Sequence, residues 1–328
     1  MRIAQVLPYA EIGGTEKHCV SLCRELAARH EVVLLSPSGP ALTDLDPRVT
    51  HLPFPRFDQN LLDGASTFVR LLRALKVDLV HVHAAAELVL LARLAARRRP
   101  LVFTVHGFHG RGAEASYRLA RWAMRQSEAT ICVSAAERAR LPGAVLVYNG
   151  VPDPGYRPTP GNGLVGFFGR LEPTKGVDVL LRSGVRPLLV VGDGSQRRTL
   201  EALAGDGATF TGFRPDAVRL MASCEVIAVP SLVEPFGLVA AEAAALGRPV
   251  VASAVGGLAE IVVDGETGYL VPPGDPVALG EALRRLQADP ALARRLGEVA
   301  RERYLAHFTL TGMVQAVERL YRSVVEFP

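Results

Sequence analysis

The sequence predicts an α/β protein built as two doubly wound parallel sheets, two Rossmann-like halves facing one another across a cleft. Three observations lead there. Short apolar β runs alternate with helical patterns along the whole chain, which is the signature of βαβ units. With 328 residues the chain has room for two domains of about 150. The alternation is interrupted once, at residues 149–162 (NGVPDPGYRPTPGN), where Pro, Gly and Asn crowd together as in a linker.

Each element has its own warrant. Ile3–Leu7 reads as a strand, and the loop Ala10–Thr15 with Gly13 and Gly14 leads into a helix ending near Arg29. Glu31–Ser36 and a short run near Val49–Leu52 are strands. Residues 60–75 place apolar side chains at helical spacing. Leu79–His83 and Leu101–Val105 are strands flanking a helix over 85–97, and a helix over 113–127 precedes strands at Thr130–Val133 and Val145–Val147. The second half repeats the scheme. Its strands are Leu164–Phe168, Pro187–Gly192, Ala208–Thr211, Val226–Val229, Val250–Ala252 and Gly268–Val271. Its helices fall near 176–183, 195–204, 215–222, 238–246 and 257–263, with two more at 276–305, broken at Pro290, and 311–325. In such sheets ligands bind beyond the carboxyl ends of the strands.

Composition excludes several function classes. Hydrophobic residues make up 49% and charged residues 21%, the balance of an ordinary globular protein. Residues 1–155 hold 19 Lys and Arg against 14 Asp and Glu, while residues 156–328 hold 18 against 19. The mildly basic first half favours anionic small molecules or an anionic surface, and no nucleic-acid motif accompanies it, so nucleic acid is not an expected partner. Cys19, Cys23, Cys132 and Cys224 form no CxxC pair and no zinc-finger spacing, which predicts free thiols in a reducing, cytoplasmic compartment. The N-terminus reads as a strand and no run reaches 18 apolar residues, so neither a signal peptide nor a membrane span is expected. The GxGxxG fingerprint is absent after the first strand, which argues against a dinucleotide oxidoreductase.

The chemistry concentrates in a few segments. Glu234 opens EPFGLVAAE, with a second carboxylate, Glu242, eight residues on. Eight residues span at most about 12 Å of helix, so the two acids suit different parts of one extended ligand, and a nucleotide-sugar fits. Gly237 permits close approach to the backbone, and the helix starting at Gly237 to Val239 presents unpaired N–H groups suited to phosphate. Arg170 and Lys175 lie in GRLEPTKG, between a strand end and a helix, where two cations make a diphosphate site. Val190 to Ser195 is a strand and tight glycine turn. Thr211-Gly212-Phe213-Arg214 ends the next strand, placing Phe213 to flank a base and Arg214 to reach one through its backbone. Gly256 to Ile261 opens a further helix start. In the first half, Gly14 follows the first strand and His106 ends LVFTVHG, where an imidazole can bond a sugar hydroxyl. His81 and His83 are read as facing opposite sides of their strand and as structural. Asp44-Leu45-Asp46 lies in a loop between minor elements, and no metal site is expected.

Taken together, GRLEPTKG, VGDGS, TGF, EPFGLVAAEAAALGRPVVAS and GGLAEIV with DGETGYLV resemble the retaining GT-B glycosyltransferases of the family 4, group 1 type. GGTEKH, DLVHVH, TVHG and VYNGV agree. The resemblance covers nearly the whole chain. It implies an acceptor-side domain over 1–152, a nucleotide-sugar domain over 153–310, and a last helix over 311–328 packing back on the first domain. It further implies that Arg170 and Lys175 neutralise the leaving diphosphate, that Glu234 binds the donor sugar and Glu242 the ribose. The backbone of Phe236, Gly237, Leu238 and Val239 would hold sugar and phosphate, Phe213 and Arg214 would lie near the base, and Gly14 and His106 would face the donor. Catalytic weight would rest on Glu234, His106, Arg170 and Lys175. The implied reaction is metal-independent and cofactor-free: transfer of a sugar from a UDP-, GDP- or ADP-linked donor to a glycan, lipid-linked or small-molecule acceptor, with retention.

Two alternatives share the fold: a catalytically inactive nucleotide-sugar-binding protein and a sugar-nucleotide epimerase. Arg118, Arg121 and Arg125 at helical spacing, with Leu119 and Trp122 and the run Arg97–Arg99, outline a face for peripheral contact with anionic membrane at its inner side.

Overall fold

The structure, a computed structural model, describes residues 1–96, 98–108, 112–156 and 162–326. Residues 157–161 of the expected linker, Arg97 of the basic run, and the end of the last helix segment at 327–328 lie outside the described residues. The chain divides into two compact units: Met1–Gly150 with Leu310–Pro328, and Val151–Thr309.

Unit 1 is built on a seven-stranded sheet. In chain order it holds β1 (Arg2–Val6), α1 (Gly14–Leu26), β2 (Glu31–Ser36), β3 (Thr50–Pro53), α2 (Leu61–Ala74), β4 (Leu79–His83), α3 (Ala86–Ala96), β5 (Leu101–Val105), α4 (Ala113–Met124), β6 (Ala129–Cys132), α5 (Ala135–Arg140) and β7 (Val145–Leu146). The strand order is β3-β2-β1-β4-β5-β6-β7, and every ladder is parallel. All five residues of β4 and of β5 are buried, as strands covered on both faces by helices must be. α5 was not expected from the sequence. Its signal is a capping box, Ser134 with Glu137 three residues on: the Ser134 hydroxyl accepts from Glu137 N at 3.1 Å.

Unit 2 has a six-stranded parallel sheet. It runs β8 (Val165–Phe168), α6 (Val177–Arg182), β9 (Leu188–Val191), α7 (Arg197–Ala204), β10 (Thr209–Gly212), α8 (Ala217–Ala222), β11 (Val226–Val229), α9 (Leu238–Ala245), β12 (Val250–Ser253), α10 (Leu258–Ile261), β13 (Gly268–Val271), α11 (Pro276–Ala288) and α12 (Pro290–His307). The order is β10-β9-β8-β11-β12-β13. Pro290 does break the long helical pattern. It takes the first position of α12, where its missing N–H would be unpaired anyway, and Asp289 Oδ1 accepts from Leu292 N at 2.9 Å.

The last helix, α13 (Leu310–Glu326), belongs to unit 1. Its Leu310, Met313, Val314, Val317, Tyr321 and Val324 pack in one buried cluster with Ile3, Leu7, Cys19, Leu22 and Leu26. Each such apolar side chain contributes about 1.5–3 kcal/mol on burial, so this helix is part of the unit 1 core and not an appendage. Buried Glu318 is paired where it leaves that core, with Nε and Nη2 of Arg29 (3.1 and 2.9 Å) and with His30 Nε2 at 2.9 Å. In each unit the strand order reverses direction once, between β1 and β4 and between β8 and β11. Those reversals are where open α/β sheets leave a crevice for ligands.

Candidate functional site

In unit 2 the loops at the reversal lock onto one another through backbone. Leu171 N donates to Asp193 O at 2.8 Å, Gln196 N to Leu171 O at 3.0 Å, Leu232 N to Thr174 O at 2.8 Å, and Gly257 N to Glu234 O at 3.1 Å. Four sequence segments that looked separate are therefore one cradle: 169–176 after β8, 192–196 after β9, 230–237 after β11 and 254–258 after β12. The glycines are the condition for this closeness. A Cβ on Gly192 would fall 1.9 Å from Gly169 O, and one on Gly256 2.1 Å from Glu234 O. Both residues also sit at positive φ, 138° and 48°.

The cradle brings together Lys175 and Glu234. Lys175 Nζ lies 2.6 Å from Glu234 Oε2, and the Ser231 hydroxyl donates to the same oxygen at 3.1 Å. Both side chains of the pair are mostly buried, 23% and 15% exposed, so the charges are held in a reduced dielectric and in fixed positions. Glu234 Oε1 takes no part in that bond. Arg170 is exposed at the start of the loop after β8 and has no ion pair among the described residues. Between the two cations, Glu172 accepts from Ser195 N and Oγ at 3.1 and 2.6 Å, and these bonds hold its carboxyl below the usual range. Gly237 caps α9 without any side-chain bond to the first turn, which starts at Leu238 and Val239. Phe236 is buried against this turn, and Glu242 lies one turn further along the same helix, half-buried. The unit thus carries Arg170, Lys175, Glu234 and the uncapped start of α9 in segments that follow the carboxyl ends of β8 and β11, with Glu242 one turn into α9. Phe213 stands 56% exposed after β10. The Arg214 guanidinium is tied bidentately to Asp216 at 2.7 and 2.8 Å, and its backbone carbonyl accepts from Ala217 N at 3.3 Å.

In unit 1, Gly13 and Gly14 form the uncapped start of α1, and His106 follows the end of β5. The reading of His81 and His83 needs correction. Residues two apart on a strand share a face, because side chains alternate with period two, and the two rings lie 4.1 Å apart. They are joined by two histidines on other elements. The His18 ring on α1 lies 4.7 Å from that of His106 and 5.5 Å from that of His83, and His83 Nδ1 is 3.3 Å from His106 Nε2. The donor atoms of His18, His83 and His106 all fall within 4.8 Å of one another, a spacing open to a metal ion. Burial pushes all four imidazoles below their ordinary range, His18 to about 4, so the group is neutral at pH 7. Both ring nitrogens of His18 and Oδ1 of Asn149 are buried without a hydrogen-bond partner, although Asn149 is near enough to offset part of the burial effect on His18. The sequence reading missed this group. Its signal was there: His18 lies four residues after Gly14, on the buried face of α1.

The basic face of α4 is only partly available. Arg121 is taken by Glu114 at 2.8 Å, and Arg140 by Glu114 at 3.1 Å and by the Tyr117 ring at 3.8 Å. Arg118 and Arg125 are exposed with no ion pair among the described residues, and Trp122 and Leu119 lie exposed beside them. Among the described residues no helix is long and apolar enough to cross a membrane.

Comparison with known proteins agrees with this geometry. Residues 12–153 match the family described as Glycosyltransferase Family 4, and residues 162–289 the family described as Glycosyl transferases group 1. The glycogen synthase of Mycobacterium tuberculosis is 29% identical over 98% of this chain and 94% of its own. The D-inositol 3-phosphate glycosyltransferase of Corynebacterium diphtheriae is 36% identical over 48% of this chain and 42% of its own. Among solved structures, sucrose-phosphate synthase from Thermosynechococcus elongatus superimposes with a TM-score of 0.86 at 26% identity over the whole of both chains. Anabaena Alr3699/HepE, in complex with UDP and glucose, gives 0.87 at 23% identity over 98% of this chain and 100% of its own. The two parallel-sheet units are those of the GT-B fold, and with both halves matched the chain belongs to the family 4, group 1 glycosyltransferases.

Proposed function

We propose that the chain transfers a sugar, with retention and without a divalent metal on the diphosphate, from a nucleoside diphosphate sugar to a glycan, lipid-linked or small-molecule hydroxyl. The observation that carries this reading is the pair of Lys175 and Glu234, with exposed Arg170 on the same loop as Lys175 and the uncapped start of α9 three residues after Glu234. When the bond between sugar and diphosphate breaks, negative charge grows on the phosphate oxygens. Lys175, Arg170 and the first N–H groups of α9 are donors for that charge, and they take the role a divalent metal would otherwise fill. Glu234 keeps Lys175 oriented through Oε2 and offers Oε1 to a sugar hydroxyl. Glu242 is assigned to the ribose, the Phe236–Val239 backbone to sugar and phosphate, and Phe213 with the Arg214 backbone to the base. In unit 1, Gly14 and His106 are assigned to substrate hydroxyls, and the departing phosphate assists removal of the acceptor proton.

UDP, GDP and ADP and their sugars, tested by thermal shift with and without EDTA, check the donor site. A ligand that binds only the folded chain at a hundred times its Kd adds about 2.7 kcal/mol of stability. One nucleotide class is expected to stabilise, by the same increment in EDTA. UDP is the first to try, since a protein of the same fold was crystallised with it. Lys175→Ala and Glu234→Ala are each expected to lower transfer roughly 10²–10³-fold while the chain stays folded. Full transfer by both variants sinks the assigned roles. Stabilisation by a nucleotide sugar with no transfer to any acceptor favours an inactive binding protein, and a new sugar nucleotide formed without acceptor favours an epimerase.

A further inference from the structure

Three histidines of unit 1 bring ring nitrogens to one buried spot. His18 comes from α1, His83 from the end of β4, and His106 follows β5. His83 Nδ1 and His106 Nε2 stand 3.3 Å apart, and a nitrogen of His18 joins them with all three inside 4.8 Å. His18 and His83 are buried, and His106 is partly so. Asn149, buried too, lies close enough to His18 for its amide to act on that ring.

Two observations single this group out. The first is the state of His18. Both its ring nitrogens are buried, and neither has a hydrogen-bond partner among the described residues; the same holds for Oδ1 of Asn149. Burying polar atoms without partners is costly, and in a native fold an ion or a water makes up the loss. The second is the spacing. Nitrogens held tetrahedrally at about 2.0–2.1 Å from one zinc ion stand about 3.4 Å from one another. His83 and His106 are already at that separation. His18 has at most about 1.4 Å to close, a distance within the reach of side-chain rotation.

His81 shows why the fourth ring is not a ligand. It lies 4.1 Å from the His83 ring, yet its nitrogens are taken by the Tyr321 hydroxyl at 2.5 Å and by Thr104 Oγ1 at 2.7 Å. His83 has a buried partner on its far side, since Nε2 lies 2.8 Å from the Gln5 side-chain amide. A histidine that ligates through one ring nitrogen donates from the other to such a partner, which holds the ring in place. Gln5, Tyr321 and Thr104 each donate and accept, so these bonds accommodate a proton on His83 Nε2 with Nδ1 bare.

We propose that His18, His83 and His106 are the ligands of one divalent transition-metal ion of the zinc type, with Asn149 beside the fourth position. Neutral imidazole suits zinc, nickel or copper, whereas magnesium, calcium and manganese favour carboxylate, carbonyl and water oxygen. The ion ties α1 to the ends of β4 and β5 and so fastens unit 1. It uses none of the unit 2 residues assigned to the diphosphate, and it does not rest on the proposed transfer. Only His106 is common to the two readings, through Nε2 on the ion, with Nδ1 left for substrate. Positions 18, 83 and 106 follow no metal-binding motif, so sequence spacing alone gives no sign of the site.

The test uses the full chain, stripped with EDTA, freed of EDTA and titrated with zinc sulfate. One zinc per chain is expected, and free zinc at a hundred times its Kd is expected to raise the melting temperature by about 5–10 °C. His18→Phe keeps a ring without nitrogens and is expected to lose the bound zinc. Gln5→Leu removes the supporting partner of His83 and is expected to weaken zinc about 10–100-fold. Both variants are first shown to be folded in EDTA by circular dichroism. Cobalt in place of zinc is expected to give the visible bands of a nitrogen- and oxygen-ligated ion, without a thiolate charge-transfer band. A parent chain that retains no zinc overturns the proposal. So does zinc held equally by folded His18→Phe, which places the ion elsewhere, and so does a thiolate band, which places it on cysteine. Should His18→Phe not fold, spectra of the 15N-histidine parent decide. Zinc then has to shift three histidine side chains, with His106 among them as identified through His106→Gln. Shifts that leave His106 unmoved overturn the site.

Discussion

At the residue scale, the unit 2 cradle is defined less by its charged side chains than by the backbone approaches that aim them. Glu234 is the clearest instance. Its carbonyl accepts from Gly257 N at 3.1 Å, and that loop comes so near only because Gly256 has no Cβ. Gly256→Ala places a methyl 2.1 Å from Glu234 O at a φ of 48°. The expected result is a loss of about 1–3 kcal/mol by denaturant unfolding, from strain at an L residue forced to positive φ. A second result separates strain from function: the nucleotide-dependent thermal shift shrinks, because Glu234 and with it Lys175 are displaced. A Gly256→Ala protein that is destabilised yet stabilised by nucleotide as fully as the parent shows that the cradle is not the donor site. Arg170 and Lys175 were marked in the sequence by their place beside glycines at a strand end, and the structure puts both in the loop that joins this cradle. Ser231, which shares the Glu234 carboxylate, was not so marked, since a serine two residues after a strand has no distinguishing context.

At the element scale, α4 and α13 show opposite uses of a helix surface. α13 buries one face in the unit 1 core and pairs Glu318 at its margin. α4 buries Tyr117, Ala120 and Ala123 and turns Arg118, Trp122 and Arg125 outward, three side chains at a helical spacing of four and three. An exposed tryptophan between two arginines that have no ion pair among the described residues suits the boundary of an anionic bilayer, where each cation contributes about 1 kcal/mol. We expect the chain to sediment with liposomes containing anionic lipid at low salt and to be released by about 0.5 M salt, as screening requires. Arg118→Glu with Arg125→Glu is expected to abolish the binding. Equal binding by this variant, or none by the parent, dismisses the face as a membrane contact. The helix itself was plain from spacing. That Arg121 is withdrawn from this face by Glu114 was not, because the pair is seven residues apart and is not an i to i+4 neighbour.

At the scale of the whole molecule, the buried histidines make stability depend on pH. In the metal-free protein His18 titrates at about 4, while an unfolded histidine titrates near 6.5. Between these values the unfolded chain binds more protons than the native one, so native stability is fully present above about pH 6.5 and falls as the pH drops toward 4. His81, His83 and His106 are lowered in the same direction, by burial first and by neighbouring imidazoles second. Each histidine contributes up to about 1.4 kcal/mol per pH unit over its own window. The melting temperature in EDTA is expected to fall steeply between pH 6.5 and 5, and His18→Asn to flatten that fall. A melting temperature level across this range means the four rings are solvated and their packing is not as described.

The sequence by itself determined the class of fold, the order of its elements and which segments carry acids, cations and glycines at strand ends. These are local matters: period two against 3.6, proline and glycine as punctuation, and acids and cations placed within a few residues of a strand end. Only the tertiary structure decided which distant segments meet. Lys175 finds Glu234 across 59 residues. His81 and His83 on one strand, His106 just past the end of a second and His18 on a helix come together, and Tyr321 reaches Gln5 from the far end of the chain. Such contacts are chosen by the packing of buried faces, and hydrophobic burial is non-directional. The sequence therefore states which faces must be covered, and the fold alone states by what.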